Sequence, residues 1–203
     1  MSAITSIVDL EKLYGSTSKA SSAKILKRLS QAYSRFIEVS PFVALASVGE
    51  DGIDCSPRGD RGNVVTIAND KTLLLPDWRG NNRLDTLRNI VVDPRVSLMF
   101  LVPGSEVILR VNGKAIVSAD REICNAFEME GKHPTTVITI EIGEVYFQCA
   151  RAIKRAQLWD ASSQSAAINL PTAGDMLKEA TNGEFDGKEF DKNWPERAEK
   201  FLW

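Results

Sequence analysis

Histidine is nearly absent from this chain. Among its 203 residues there is one, His133, and the three cysteines, Cys55, Cys124 and Cys149, stand far apart. One imidazole removes most Ser–His–Asp schemes and most metal hydrolases, and scattered thiols make neither a zinc site nor a disulfide framework. No metal ligand set is expected, and the cysteine usage fits a reducing cytoplasm. A basic excess is missing too: 25 Lys and Arg face 27 Asp and Glu, for a net charge of −2. That balance argues against a nucleic-acid partner. The longest apolar runs, such as Val96–Val102, are far too short to span a bilayer. The opening "MSAITSIVDLEKLYG" has no basic stretch leading into an apolar one, so no signal peptide is expected. GxGxxG, internal repeats and strand–helix–strand alternation are also lacking, which speaks against a Rossmann nucleotide site.

What remains is 43% hydrophobic and 26% charged, enough for one sizeable core. Ile25, Leu29, Tyr33 and Phe36/Ile37 recur at helical spacing, and Ser40-Pro41 ends that pattern. Short β-prone runs follow: 42–48, "IDCS", 63–68, 72–76, 95–102, 106–117 and 135–147. A helix is expected over 84–92, stopped by Asp93-Pro94, and another opens with Asp120 as N-cap and closes near Gly131. The spacing predicts a mainly β, α+β fold built on an antiparallel barrel. Residues 1–40 read as a helical segment, 41–160 as the barrel, and 161–203 as a polar helical tail within one domain. In the tail, "PTAGDMLKEA" and "PERAEKFLW" are helix candidates and "NGEFDGKEFDKNW" reads as loop. The final Phe201, Leu202 and Trp203 are expected to dock on the core or on a neighbouring subunit.

Three basic loops at strand ends carry the chemistry. "LLLPDWRGNNRLDTLRN" sets Arg79, Gly80, Asn81, Asn82 and Arg83 where a helix begins. Free backbone N–H groups and the positive end of the helix dipole favour an anion there. Arginines add charge-assisted, bidentate bonds to phosphate oxygens, and Gly80 lets the backbone approach. Read alone, the same residues also make a plain asparagine N-cap with solvated arginines. "SPRGDRG" holds Arg58 and Arg61 between two strands, and "QCARAIKRAQLW" holds Arg151, Lys154 and Arg155 on one helical face. In a slightly acidic chain, these loops point to one focused anion site.

With "SPRGD", "LLLPDWRGNNRLDTLRNIVVDPRV", "LRVNGKA" and "FQCARAIKRAQLW" in this order, the chain resembles the pyridoxamine 5′-phosphate oxidase-related, FMN-binding split-barrel proteins, in a bacterial branch. The likeness runs from about Phe36 to Trp159 and extends to the tail. It implies a six-stranded antiparallel split barrel, a homodimer, and FMN at the subunit interface. It implies that Asn82-Arg83 lies nearest the phosphate-holding run, with Leu84 where a lysine is usual, so that Arg79, Arg58 or Arg61 can supply the missing charge. Pro76 and Asp77 match the strand end facing the flavin ring. The strand of Arg110 matches the one given by the other subunit, and Arg151 to Arg155 lie near further phosphate or substrate contacts. FMN is a phosphate ester on a flat ring, which agrees with the basic loops. The implied activity is FMN-dependent oxidoreduction of a small molecule. True pyridoxamine-phosphate oxidase activity is not expected, because the tail lacks that enzyme's arginine–histidine arrangement. A flavin store or sensor, and a barrel using F420 or haem, are the alternatives.

Overall fold

A computed structural model describes residues 3–50, 52–200 and 202, apart from the side chains of 166 and 167. Phe201 and Trp203, expected to dock, lie outside the described residues. Two short helices, α1 (Ile7–Tyr14) and α2 (Lys19–Ala23), precede α3 (Gln31–Glu38). Seven strands follow: β1 (Phe42–Gly49), β2 (Gly52–Gly59), β3 (Thr66–Asn69), β4 (Thr72–Asp77), β5 (Arg95–Leu101), β6 (Ile108–Ser118) and β7 (Thr136–Gln148). Between them lie α4 (Asp85–Val92) and α5 (Arg121–Asn125). After them come α6 (Arg151–Ala156), a 3-10 segment (Ala161–Asn169), α7 (Ala173–Ala180) and α8 (Gly187–Lys200).

All seven strands form one antiparallel sheet in the order β2-β1-β5-β6-β7-β4-β3. The fold is therefore sheet-dominated α+β, as expected, but with seven strands rather than six. Among the described residues no ladder joins β2 to β3 or β4, so the sheet does not close by backbone pairing. It curls instead. Side chains at the ends of β2, one edge strand, and of β4, next to the other edge, meet directly: Arg58 forms an ion pair with Asp77, and just beyond the two strands the Trp78 indole donates to Asp60 Oδ2 at 2.9 Å. The ladder leads from Arg58 through Val43, Phe100 and Leu109 to Phe147, whereas Asp77 pairs with Thr136 of the same β7. Curling has thus staggered the sheet by eleven residues of β7 between its two meeting ends, the kind of offset a barrel-like sheet needs.

The core lies on the concave face, where alternation points Val43 and Leu45, Leu73 and Leu75, Leu98 and Phe100, Leu109 and Val111, and Ile138 and Ile140 inward. Pro57 sits in β2, an edge strand, where a missing N–H costs no ladder bond. β7 bulges at Gly143, opposite Asn112 and Gly113 of β6, and a Cβ at Gly113 would strike the backbone oxygen of Glu141.

Five elements depart from the sequence reading, beginning with Ser56–Gly59, read as part of a loop between strands but paired along β2 with Arg58 opposite Val43. The helix expected from Ile25 starts only at Gln31, because Leu26 exchanges two backbone hydrogen bonds with Val145 of β7 and Leu29 N–H donates to Asp70 O. Ser30 then caps α3. Val64 and Val65 are buried without joining β3. The helix opened by Asp120 ends at Asn125, not near Gly131. "KEFDKNW", read as loop, is helical within α8, with Pro195 inside the helix. Phe190 and Trp194, at a spacing of four, stack with ring centroids 5.5 Å apart.

Candidate functional site

The site is built where α4 meets both ends of the curled sheet. Thr86, in the first turn of α4, is buried and donates to Asp54 Oδ2 at 2.6 Å. Its hydroxyl also lies 3.2 Å from Ser56 Oγ, which accepts from Arg58 Nε at 3.2 Å. Arg58 then reaches Asp77. A continuous polar string, Asp54–Thr86–Ser56–Arg58–Asp77, therefore ties β2, the amino end of α4 and the end of β4 together. Asp54, Ser56 and Arg58 can line up because alternate residues of a strand share one face. Only 23% of the Arg58 side chain and 15% of the Asp77 side chain are exposed. Arg58 is consequently committed to a carboxylate, which balances its charge.

The turn before α4 holds the remaining residues of the opening motif. Asn81 Oδ1 accepts the Arg83 N–H at 3.0 Å, and Asn82 adopts a left-handed conformation with φ of 60°. Asparagine tolerates that region better than most residues. Neither asparagine is the N-cap, as the sequence suggested: Leu84 occupies that position and caps with no side-chain hydrogen bond. The first turn of α4 thus lacks a side-chain cap, the condition in which helix N–H groups can receive an external acceptor. Arg79 and Arg83 are exposed, and Arg83 Nε lies 2.6 Å from Asp85 Oδ2. An anion here must compete with the Asp85 carboxylate for that guanidinium.

Pro76 is buried at the end of β4 and opposite Val137. It also lines a small cleft of about 140 Å³ with Asp60, Arg61, Asn63, Trp78 and Phe127 among others. Arg61 Nη1 is 3.1 Å from Glu130 Oε1. Arg58, Arg61, Pro76, Asp77, Arg79, Asn81, Asn82 and Arg83 are thus gathered around the amino end of α4 and the sheet seam.

Arg110 is elsewhere. In β6 it alternates with the buried Leu109 and Val111, so it lies on the convex face, opposite to Arg58 and Asp77, with its guanidinium 5.5 Å from the Tyr146 ring. Arg151 and Arg155 are exposed on α6, beyond the end of β7, and Lys154 between them pairs with Glu106 at 3.1 Å. One chain does not bring these three arginines to the amino end of α4. Nearby, the Cys149 thiol is held below its ordinary pKa, first by the Arg151 backbone N–H and then, against burial, by the charges of Arg151 and Lys24. His133 is exposed, with Nδ1 2.6 Å from the carbonyl oxygen of Phe127.

Sequence reading missed Asp54, Ser56, Thr86, Asp60 and Trp78. The β2 alternation carried a usable signal, since Asp54 and Ser56 share a face with Arg58. Nothing in the sequence marks Thr86 as the residue that meets them.

Residues 29–149 match the family model described as pyridoxamine 5′-phosphate oxidase. Among solved structures, a HupZ variant from Group A Streptococcus aligns with a TM-score of 0.50 at 15% identity, over 59% of this chain and 98% of that one. A candidate pyridoxamine 5′-phosphate oxidase from Lactobacillus delbrueckii aligns at 21% identity with a TM-score of 0.48, over 60% and 95%. At 15% identity the HupZ likeness speaks to fold alone. No curated protein matches the chain.

Proposed function

The chain belongs to the pyridoxamine 5′-phosphate oxidase family, and we propose that it is an FMN-binding flavoprotein that acts as a homodimer and oxidises or reduces a small molecule. The observation that carries this reading is the α4 amino end, which has no side-chain cap and is flanked by Arg79, Gly80 and Arg83. A phosphate monoester needs backbone N–H donors, a positive helix end and guanidinium forks, and this turn offers all three. Leu84 stands where the family resemblance leads one to expect a lysine, so the charge must come from Arg79 and Arg83. Arg58 is already neutralised by Asp77 and acts as scaffold.

In this reading Pro76 and Asp77 border the flavin ring, and the polar string through Thr86 holds the phosphate end at a fixed distance from them. Arg110, Arg151 and Arg155 contribute from the second subunit, since their own chain keeps them away from the cradle. Bound FMN would supply two-electron transfer, and the protein supplies binding, orientation and local charge. The tail offers no histidine for a pyridoxamine-phosphate clamp, so a different small substrate is proposed.

The test is an absorbance spectrum of the purified protein before and after adding FMN and desalting. A retained flavin band near one equivalent per chain is the expected result. Loss of all flavin on desalting overturns the proposal, and a haem or deazaflavin spectrum in the isolated protein would replace it with that cofactor.

A further inference from the structure

The Arg58–Asp77 ion pair is not the last contact across the seam. One residue beyond each strand, the Trp78 indole donates to Asp60 Oδ2 at 2.9 Å, and Asp60 Oδ1 accepts the Arg61 N–H at 2.7 Å. Among the described residues no ladder joins β2 to β4, so side chains set the width of the seam here. Trp78 stands past the last rung of its own ladder, where Asp77 faces Thr136, and the Asp60 carboxylate holds its half-buried ring. That ring in turn walls the cleft beside Pro76, whose apolar lining includes Phe127 and Met129. At about 140 Å³ the cleft is close in size to an engineered apolar cavity of roughly 150 Å³ that binds benzene. It has room for one six-membered ring and not for three fused ones.

We infer that Asp60 positions Trp78 as a wall against one ring of the flavin, so that this latch across the seam sets where the ring end of FMN lies. Pro76 links the two: it lines the cleft, and it ends the strand that borders the flavin ring in the reading above. A flat indole gives a flat ring a large contact area in the offset or edge-on arrangements that aromatic pairs prefer. Its N–H, turned to Asp60, leaves the indole oriented before any ligand arrives, so little rotamer freedom is lost on binding. The inference rests on the FMN reading and adds the two residues that hold the ring end, where Arg79 and Arg83 serve the phosphate end.

The test loads the full-length wild type, Trp78→Phe, Asp60→Ala and Asp60→Asn with FMN and measures the fluorescence lifetime of the bound flavin. An indole in contact with an excited flavin passes it an electron and takes it back without light being emitted, which a phenylalanine ring does not do. Bound flavin should therefore be dark in the wild type and severalfold brighter in Trp78→Phe. Asp60→Ala frees the indole, so the lifetime should lengthen and FMN should bind about two- to tenfold more weakly, the loss of one hydrogen bond. Asp60→Asn keeps an acceptor oxygen and should restore both to wild-type values. Trp159→Phe is the control: its indole donates to Ser105 O at 2.6 Å, and the lifetime should not change. Trp78→Phe as dark as the wild type, brightening in Trp159→Phe instead, or Asp60→Ala with a wild-type lifetime overturns the inference and leaves FMN binding standing. A wild type that keeps no flavin overturns the FMN reading and this inference with it.

Discussion

At the scale of single residues, the molecule turns on who holds which arginine. Arg58 and Arg83 look alike in the sequence, each next to turn residues, yet Arg58 is sequestered by Asp77 while Arg83 stands 81% exposed beside Asp85. Arg83→Ala should weaken FMN binding by about 1.5–3 kcal/mol, the value of a hydrogen bond to a charged group. Flavin fluorescence titration measures it, and unchanged affinity removes Arg83 from the site. Thr86→Val deletes the buried donor to Asp54 and should lower stability by about 1–3 kcal/mol in urea unfolding. Asp93 is a simpler case: bonds from the Arg95 side chain and backbone lower its pKa to about 2 from 3.8. A carboxylate whose pKa is lowered on folding stabilises the protein above its unfolded pKa, and that contribution disappears as pH falls through the folded one. Asp93→Asn should therefore lose stability relative to wild type at neutral pH, and the gap should narrow from about pH 4 down to about pH 2. The basic residues of the cradle were legible because arginine, glycine and asparagine in one turn are chemically conspicuous. Their partners were not, since Asp77 lies 19 residues from Arg58 and becomes its neighbour only once the sheet curls.

Among elements, the strands were the legible part, because alternation and turn residues survive any register. The helices were less so wherever tertiary bonds overrode local pattern. Leu26 and Leu29 spend their backbone groups on β7 and on the β3–β4 turn, so an apolar period that suits a helix is interrupted by pairing. The reverse holds for α8, which persists through Pro195 as α7 and α8 cross so closely that Gly174 and Gly187 meet backbone to backbone. Gly174 N–H also donates to Asp191 Oδ1 at 2.8 Å, and Thr172 and Asp175 form a capping box. A Cβ at position 174 would strike Gly187 O and the Asp191 carboxylate. Gly174→Ala should thus unpack this hairpin alone: helical ellipticity falls while the main melting transition of the sheet stays within a degree or two. A large drop in that transition would show that the hairpin supports the core.

At the scale of the whole molecule, the family and the α+β character were readable before any coordinates, while the strand count and the open ladder were not. Both depend on how far a sheet curls before side chains catch its ends, which no local pattern encodes. If FMN binds only the folded protein, a hundredfold excess over its dissociation constant should add about 2.7 kcal/mol and raise the melting temperature. Differential scanning fluorimetry with and without FMN reads this directly, and no shift at saturation would mean that the flavin does not select the native state. The strand order carries a last consequence, for how the chain is made. A nascent chain can form β1–β2 and β3–β4 as hairpins as soon as they emerge from the ribosome, and β5 can then join β1 and β6 join β5. Yet β4 finds its second neighbour only in β7, the final strand. Until residue 148 has been synthesised, β4 and β6 both present bare edges and the Arg58–Asp77 contact has no sheet to close. Translation that stalls before β7 leaves a product that can neither be trimmed to a smaller version of this fold nor be left exposed without risk of aggregation.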